Sequence, residues 1–414
     1  MADDHRKPQA ASLPRHLPFL TLVLLLLIVF YTFQGPVRSF FSGRYRALAT
    51  FDRALGIVLE EYVQPRRPEE LVRGAIDGMV QSLEDPHSRF LSPKRNRYLK
   101  ETETGRYVGL GIRIALEEGK VLIVRVFDGS PAEKAGLKAG DLILAAAEHD
   151  PQGLQPPARH DLTGLESLEK ASDALRGEIG SVVSLEIDRQ GKRLQVPVER
   201  REIERPLVHV EVEDGLGYLR ISDFPDGVHA KVQEGLQRLA EEGVKGLVLD
   251  VRQNEGGFLD EAVRVADLFI AQGLIVSTRS RHERDDRTYE AEPGGPAEDL
   301  PLVVLVDAFT ASAAEVVAGA LQDHDRALLV GTKTYGKGAV NKRFPLPDRS
   351  GILLTTGRYL LPSGRAIEGK GLEPDVVVQP PGPEVLEKLQ PGQEPPDPQR
   401  EKATALLREQ IGSQ

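Results

Sequence analysis

The apolar residues of this chain change their spacing several times, and each change predicts a different kind of element. Residues 17–37 carry no charge, and residues 19–33 are almost entirely Leu, Val, Ile and Phe. A run of that length without a polar face does not fit a buried core helix. With Arg6, Lys7 and Arg15 ahead of it, it predicts a single membrane span. No small-x-small site follows directly, and Ala47-Leu-Ala49 lies too far downstream for ordinary cleavage. That favours an uncleaved signal anchor over a signal peptide. Residues 1–16 are then cytoplasmic, and the body lies outside the cell inner membrane.

Beyond the span the period becomes helical. Phe51, Leu55, Val58, Leu59 and Tyr62 recur on one face, as do Leu71, Ala75, Met79 and Leu83, so residues 45–103 read as helices. Residues 203–380 alternate. Apolar runs at 217–221, 246–251, 302–306 and 327–330 read as buried strands, and Val228, Val232, Leu236 and Leu239 mark a helix between two of them. This predicts an α/β core with largely parallel strands. After Pro380 the chain is rich in Pro, Gly, Gln and Glu, which reads as a linker leading to a short helix at 397–410.

Composition narrows the classes. At 414 residues there is room for two or three domains, and 40% apolar with 28% charged residues is ordinary for a globular body. A net charge of −10 argues against a nucleic-acid binder. With no cysteine there is no disulfide, thiol nucleophile or thiolate metal site, and the nine histidines lack ligand spacing. Neither a metal nor a cofactor is implied.

The candidate chemistry lies in two segments. Leu302-Val-Val-Leu-Val-Asp-Ala-Phe-Thr-Ala-Ser312 runs from a β-branched stretch into small residues and then an apolar helical repeat, placing Ser312 at a strand-to-helix junction. Downstream, Lys337 lies between two glycines beside Tyr335. A lysine of ordinary pKa, about 10.4, cannot take a serine proton at neutral pH, so a base here requires desolvation. Serine with lysine as its base is an established form of nucleophilic catalysis. The competing reading makes Ser312 a helix cap and Lys337 a surface residue. Gly256-Gly257, between a strand and the helix at 259–269, is either a tight turn or a source of N–H donors for an oxyanion, together with the N–H of Ala313.

A resemblance decides between these readings. Ser312-Ala-Ala-Glu315 and Tyr335-Gly-Lys337-Gly resemble the signature of the carboxy-terminal processing, or tail-specific, proteases. Asp85-Pro86-His87-Ser88, the Asp250-Val-Arg252-Gln-Asn254-Glu-Gly256-Gly257 strand end and the segment from Tyr359 to Asp375 resemble further motifs of that family, in the right order. The resemblance implies a core similar to the Clp-protease and crotonase fold, with Ser312 as nucleophile and Lys337 as general base. Asn341 stands where the family usually has a glutamine that supports the lysine. A structural role is expected for His87, bonding a backbone carbonyl.

Residues 104–200 resemble an inserted PDZ domain, β-rich with two helices. Gly109-Leu110-Gly111-Ile112 matches the loop that takes up a peptide's terminal carboxylate, where successive N–H groups face one concavity. Leu168, Ala171 and Leu175 align on one face of a helix suited to line the groove. The long segment 148–161 reads as a solvated loop. The resemblance implies protein or peptide substrates with exposed C-terminal ends, and leaves room for an adaptor protein and a homo-oligomer. A peptide-binding scaffold with weakened catalysis is the alternative suggested by Asn341. An acyl-CoA enzyme of the crotonase kind would leave the PDZ-like unit unexplained.

Overall fold

The computed structural model describes residues 23–24, 43–103, 105–117, 119–127, 129–148, 159–165, 168–204, 207–382 and 395–412. Except for Val23 and Leu24, the span expected at 17–37 lies outside the described residues, as do residues 1–16, most of the 148–161 loop and most of the linker after Pro380. Among the described residues no helix is long and apolar enough to cross a membrane. Two compact units are present, residues 1–83 and 84–414. In the first, helices α1 (Gly43–Glu61) and α2 (Pro68–Gln81) follow the apolar period, and Pro68 opens α2 where its missing N–H costs nothing.

The second unit is built on a six-stranded sheet in the order β10 (Val208–Glu213), β11 (Leu216–Ile221), β12 (Leu247–Asp250), β15 (Leu302–Val306), β16 (Leu328–Gly331) and β19 (Val376–Val377). β10 is antiparallel to its neighbour, and the other five strands run parallel. Continuous apolar strands fit because both faces are covered. On one face Leu302, Val304 and Val306 pack with residues of α6 (Val228–Glu241), α7 (Leu259–Asp267) and α8 (Ala313–Asp323). On the other, Val303 and Leu305 meet Ala403 and Leu407 of α9 (Pro398–Gly412). The C-terminal helix is therefore part of the core's layering.

A second, antiparallel sheet orders β1 (Arg89–Leu91), β18 (Gly351–Leu360), β13 (Gly273–Ser280) and β14 (Arg287–Ala291), with β17 (Ala339–Pro345) also on β18. β1 corrects the all-helical expectation for residues 45–103. It is only three residues long and pairs Arg89 with Leu353, so no local period announces it. Helix α3 (Pro93–Glu103) follows it.

The PDZ-like unit is entered and left through a two-stranded ribbon of β2 (Arg106–Gly109) and β9 (Arg201–Glu204). Its sheet orders β3 (Ile112–Glu117), β4 (Lys120–Val126), β5 (Leu142–Glu148), β7 (Val182–Arg189) and β8 (Lys192–Glu199), with β6 (Arg159–Asp161) on β5. Helices α4 (Pro131–Lys134) and α5 (Leu168–Leu175) complete it. Arg200 is fully buried at its base, donating to the Leu175 carbonyl, the Ser181 hydroxyl and both oxygens of Glu148.

Candidate active site

Ser312 caps α8 with φ 55° and ψ −118°, a combination that a residue with a Cβ rarely adopts and that costs about 1–3 kcal/mol. A strained serine on a strand-to-helix turn is the arrangement that sets a hydroxyl at the end of a parallel sheet. The turn is tight against Gly256, which has φ 100°. A Cβ there would lie 2.8 Å from the Ser312 Cβ and 2.9 Å from the Ala313 nitrogen, so only glycine permits this approach. Ser312 itself is 5% exposed.

Glu315, one turn into α8, is fully buried and has four donors around it. Its Oε2 accepts the N–H of Ser312 at 2.9 Å and that of Lys337 at 2.8 Å. Its Oε1 accepts the Thr334 hydroxyl at 2.5 Å and the Gly336 N–H at 2.8 Å. These charge-assisted bonds offset the cost of burying a carboxylate, and they tie the serine turn to the Gly-Lys-Gly loop. The sequence does contain the signal, since Ser312-Ala-Ala-Glu315 has the Ser-x-x-Glu form of a capping box. The bonds to the distant loop are invisible in it.

Burial holds the Lys337 amine below the usual lysine range, and the positive charge of Arg89 pushes the same way. Glu255, Glu368 and Glu315 oppose the shift. Burial also pushes the Tyr359 phenol up to about 12, a shift that the Ser312 side chain opposes. Arg89, Glu368 and Tyr359 were not among the site residues expected from sequence. They come from β1, a loop and β18, and only the fold assembles them.

The expected oxyanion donors separate. Ala313 is the first residue of α8, so its N–H has no partner within the helix. The Gly256 N–H, by contrast, donates to Asn254 Oδ1 at 2.8 Å, which corrects the expectation that it is free. The Asn254 amide group is held in turn by the Ile221 carbonyl. Gly257 follows, with its N–H unpartnered among the described residues.

Asn341 lies beside a β-bulge in the β17–β18 pair. Its amide donates to the His87 carbonyl at 3.1 Å and the Thr355 hydroxyl at 3.2 Å, and no bond to Lys337 is among its contacts. Its Oδ1 is buried without a partner, as is Oε2 of Glu368. His87 Nε2 pairs with the other oxygen of Glu368 at 3.0 Å, so its side chain meets a carboxylate rather than the expected backbone carbonyl. Phe309 (63% exposed) and Tyr335 (61%) present aromatic rings to solvent near the site, on loops joined by the Tyr335 N–H bond to the Thr310 carbonyl.

In the PDZ-like unit, Gly109-Leu110-Gly111-Ile112 turns from β2 into β3. The Leu110 carbonyl accepts from Ala132 and the Gly111 carbonyl from Phe127. Gly111 has φ 78° and packs so closely on Ser130 that a Cβ would lie 2.3 Å from it. Of the helical stripe, Ala171 and Leu175 are core residues, whereas Leu168 is 39% exposed and lines a cavity of about 750 Å³ with β3.

The chain matches known proteins along most of its length. Residues 215–378 match peptidase family S41, residues 108–199 the PDZ domain, and residues 38–94 the activating protease CtpB N-terminal domain. The carboxy-terminal-processing protease of Bartonella bacilliformis is 36% identical, over 83% of this chain and 77% of that one. The carboxyl-terminal-processing protease of Synechocystis sp. is 37% identical, over 78% and 75%. A putative S41 protease from Bacteroides fragilis shares the fold, with a TM-score of 0.52 at 20% identity over 87% of this chain and 97% of that one. With a serine turn and a lysine loop joined through Glu315, a PDZ domain in the same chain and relatives matched over three quarters of their length, the chain belongs to the carboxy-terminal processing serine proteases of peptidase family S41.

Proposed function

We propose that this protein is a membrane-tethered endopeptidase that holds the C-terminal end of a substrate in its PDZ groove and cuts with a Ser312–Lys337 dyad. Neutral Lys337 takes the Ser312 proton as Oγ attacks the scissile carbonyl. The oxyanion accepts from the N–H groups of Ala313 and Gly257, and the lysine then passes its proton to the leaving amine. Water hydrolyses the acyl-enzyme by the same route. The observation that carries this reading is the Glu315 clamp, which fixes the nucleophile turn and the lysine loop to one carboxylate. The lowered lysine pKa supplies the base.

Cleavage of unfolded casein by the full chain, by Ser312→Ala and by Lys337→Arg tests it. Both variants should be inactive, Ser312→Ala because the attacking hydroxyl is gone and Lys337→Arg because guanidinium stays protonated. Activity in either overturns the dyad. The partnerless Asn341 Oδ1 favours a slow enzyme, the neighbour of the scaffold reading. Equal, negligible cleavage by all three forms would establish the scaffold.

The tether rests on the uncharged run at 17–37 behind Arg6, Lys7 and Arg15, a charge order that supports a catalytic body on the periplasmic side. Full-length protein should stay with the membrane fraction through alkaline extraction. Release into the supernatant with an intact N-terminus would refute the anchor.

A further inference from the structure

The groove of the PDZ domain carries a charge pattern that the capture of a terminal carboxylate does not use. β3 is the outermost strand of its sheet, and its far edge is unpaired among the described residues, so a peptide strand can add there. Arg113 of β3 stands directly opposite Arg125 of β4. Both are exposed, and both line, with Leu168 of α5, an open groove of about 750 Å³. Like charges placed directly across an antiparallel pair repel. Arg125 lies over the Phe127 ring at 6.0 Å, and neither arginine has a carboxylate partner among the described residues, in a chain whose net charge is −10.

The geometry points to a preference for substrates with an acidic side chain close to the C-terminus, read by Arg113 and Arg125. This deepens the proposed capture of C-terminal ends and rests on it. The terminal carboxylate enters the Gly109–Ile112 turn, and the terminal side chain faces Leu168. Side chains of an added strand alternate between faces. Ile112 and Ile114 pack toward the PDZ core, which leaves Arg113 on the opposite face. The second and fourth residues from the substrate's end then point toward the arginine pair. An Asp or Glu at either position supplies the missing countercharge, and a Lys there is repelled.

The test is binding of fluorescent decapeptides to the full chain carrying Ser312→Ala. The peptides end in the same apolar residue and bear Glu, Ala or Lys at the second and fourth positions from the end. One further peptide has an amidated terminus. Glu should bind about three- to tenfold tighter than Ala, and Lys weaker than Ala, with the spread collapsing at high salt. The Arg113→Glu, Arg125→Glu double variant should reverse the order and favour Lys, a gain that misfolding cannot produce. Equal binding of the Glu and Lys peptides, or an unchanged order in the double variant, overturns the acidic preference. Loss of binding on amidation in the same series keeps the capture reading intact, and indifference to amidation removes that reading instead.

Discussion

Ser312 and Lys337 hang their backbone N–H groups on the same oxygen, Oε2 of Glu315, at 2.9 and 2.8 Å. The two groups of the proposed dyad are thus positioned through the carboxylate of a third residue, which holds both of their backbones. Glu315→Gln keeps the shape but turns one end into a donor facing donors. Each stranded N–H or O–H costs about 1–3 kcal/mol, so stability should fall by about 2–6 kcal/mol and turnover by at least a hundredfold. Denaturant unfolding and peptide cleavage measure the two. Wild-type turnover in the Gln form would show that the clamp is not needed.

The pH profile follows from the lowered pKa of Lys337, set by burial first and Arg89 second. Activity rises with pH as the amine loses its proton. Arg89→Ala removes a repelling charge, raises the lysine pKa and moves the rising limb toward alkaline pH. For stability the sign runs the same way. The unfolded chain binds the lysine proton up to a higher pH than the fold does, so this group's destabilisation fades as pH rises from the depressed value toward 10.5. Lys337→Met should therefore be more stable than wild type at neutral pH, with the difference shrinking as pH approaches 10.5. Thermal melts at several pH values check it.

The φ of 55° at Ser312 predicts an order of stability among inactive variants. Ala keeps the strain, whereas Gly relieves it. Ser312→Gly should melt above Ser312→Ala by several degrees, the reverse of the usual Gly–Ala order in a helix. Matching melting temperatures would mean the turn is not strained.

Asn341 Oδ1 has no partner, and its amide group is engaged by His87 and Thr355. Asn341→Gln extends the amide by one methylene, and we expect a severalfold rise in turnover as it gains a contact to the lysine. Asn341→Ala should lower stability by about 1–3 kcal/mol, because it strands the His87 carbonyl. Single-turnover cleavage by the three forms separates these effects. A slower Gln form would show that the overlong amide disturbs the His87 turn.

Arg252 predicts a role for the C-terminal helix. Its guanidinium joins Asp250, Asp397 and Gln399, linking the end of β12 to the start of α9. Arg252→Ala breaks a largely buried ion-pair network and should cost about 3–5 kcal/mol. It should also make residues 395–412 susceptible to protease. A helix that stays protected would show that Ala403 and Leu407 hold it without the arginine.

Much of this protein was legible in one dimension. The runs at 302–306 and 217–221, the helical repeat from Val228 to Leu239 and the Ser312–Glu315 and Gly336–Lys337–Gly338 segments all reveal themselves, because burial on both faces demands continuous apolar residues and a helix demands its period. The second sheet did not. β18 alternates weakly and β1 is three residues long, and their pairing is set by distant chain rather than by local pattern. The same holds within the site. Ser312 and Lys337 are readable as residue types at a turn and in a glycine loop. Which N–H groups are free, which carboxylate binds the loops together and which charge depresses the lysine depend on close contacts between segments far apart in sequence, and the packing of the two sheets alone creates those contacts.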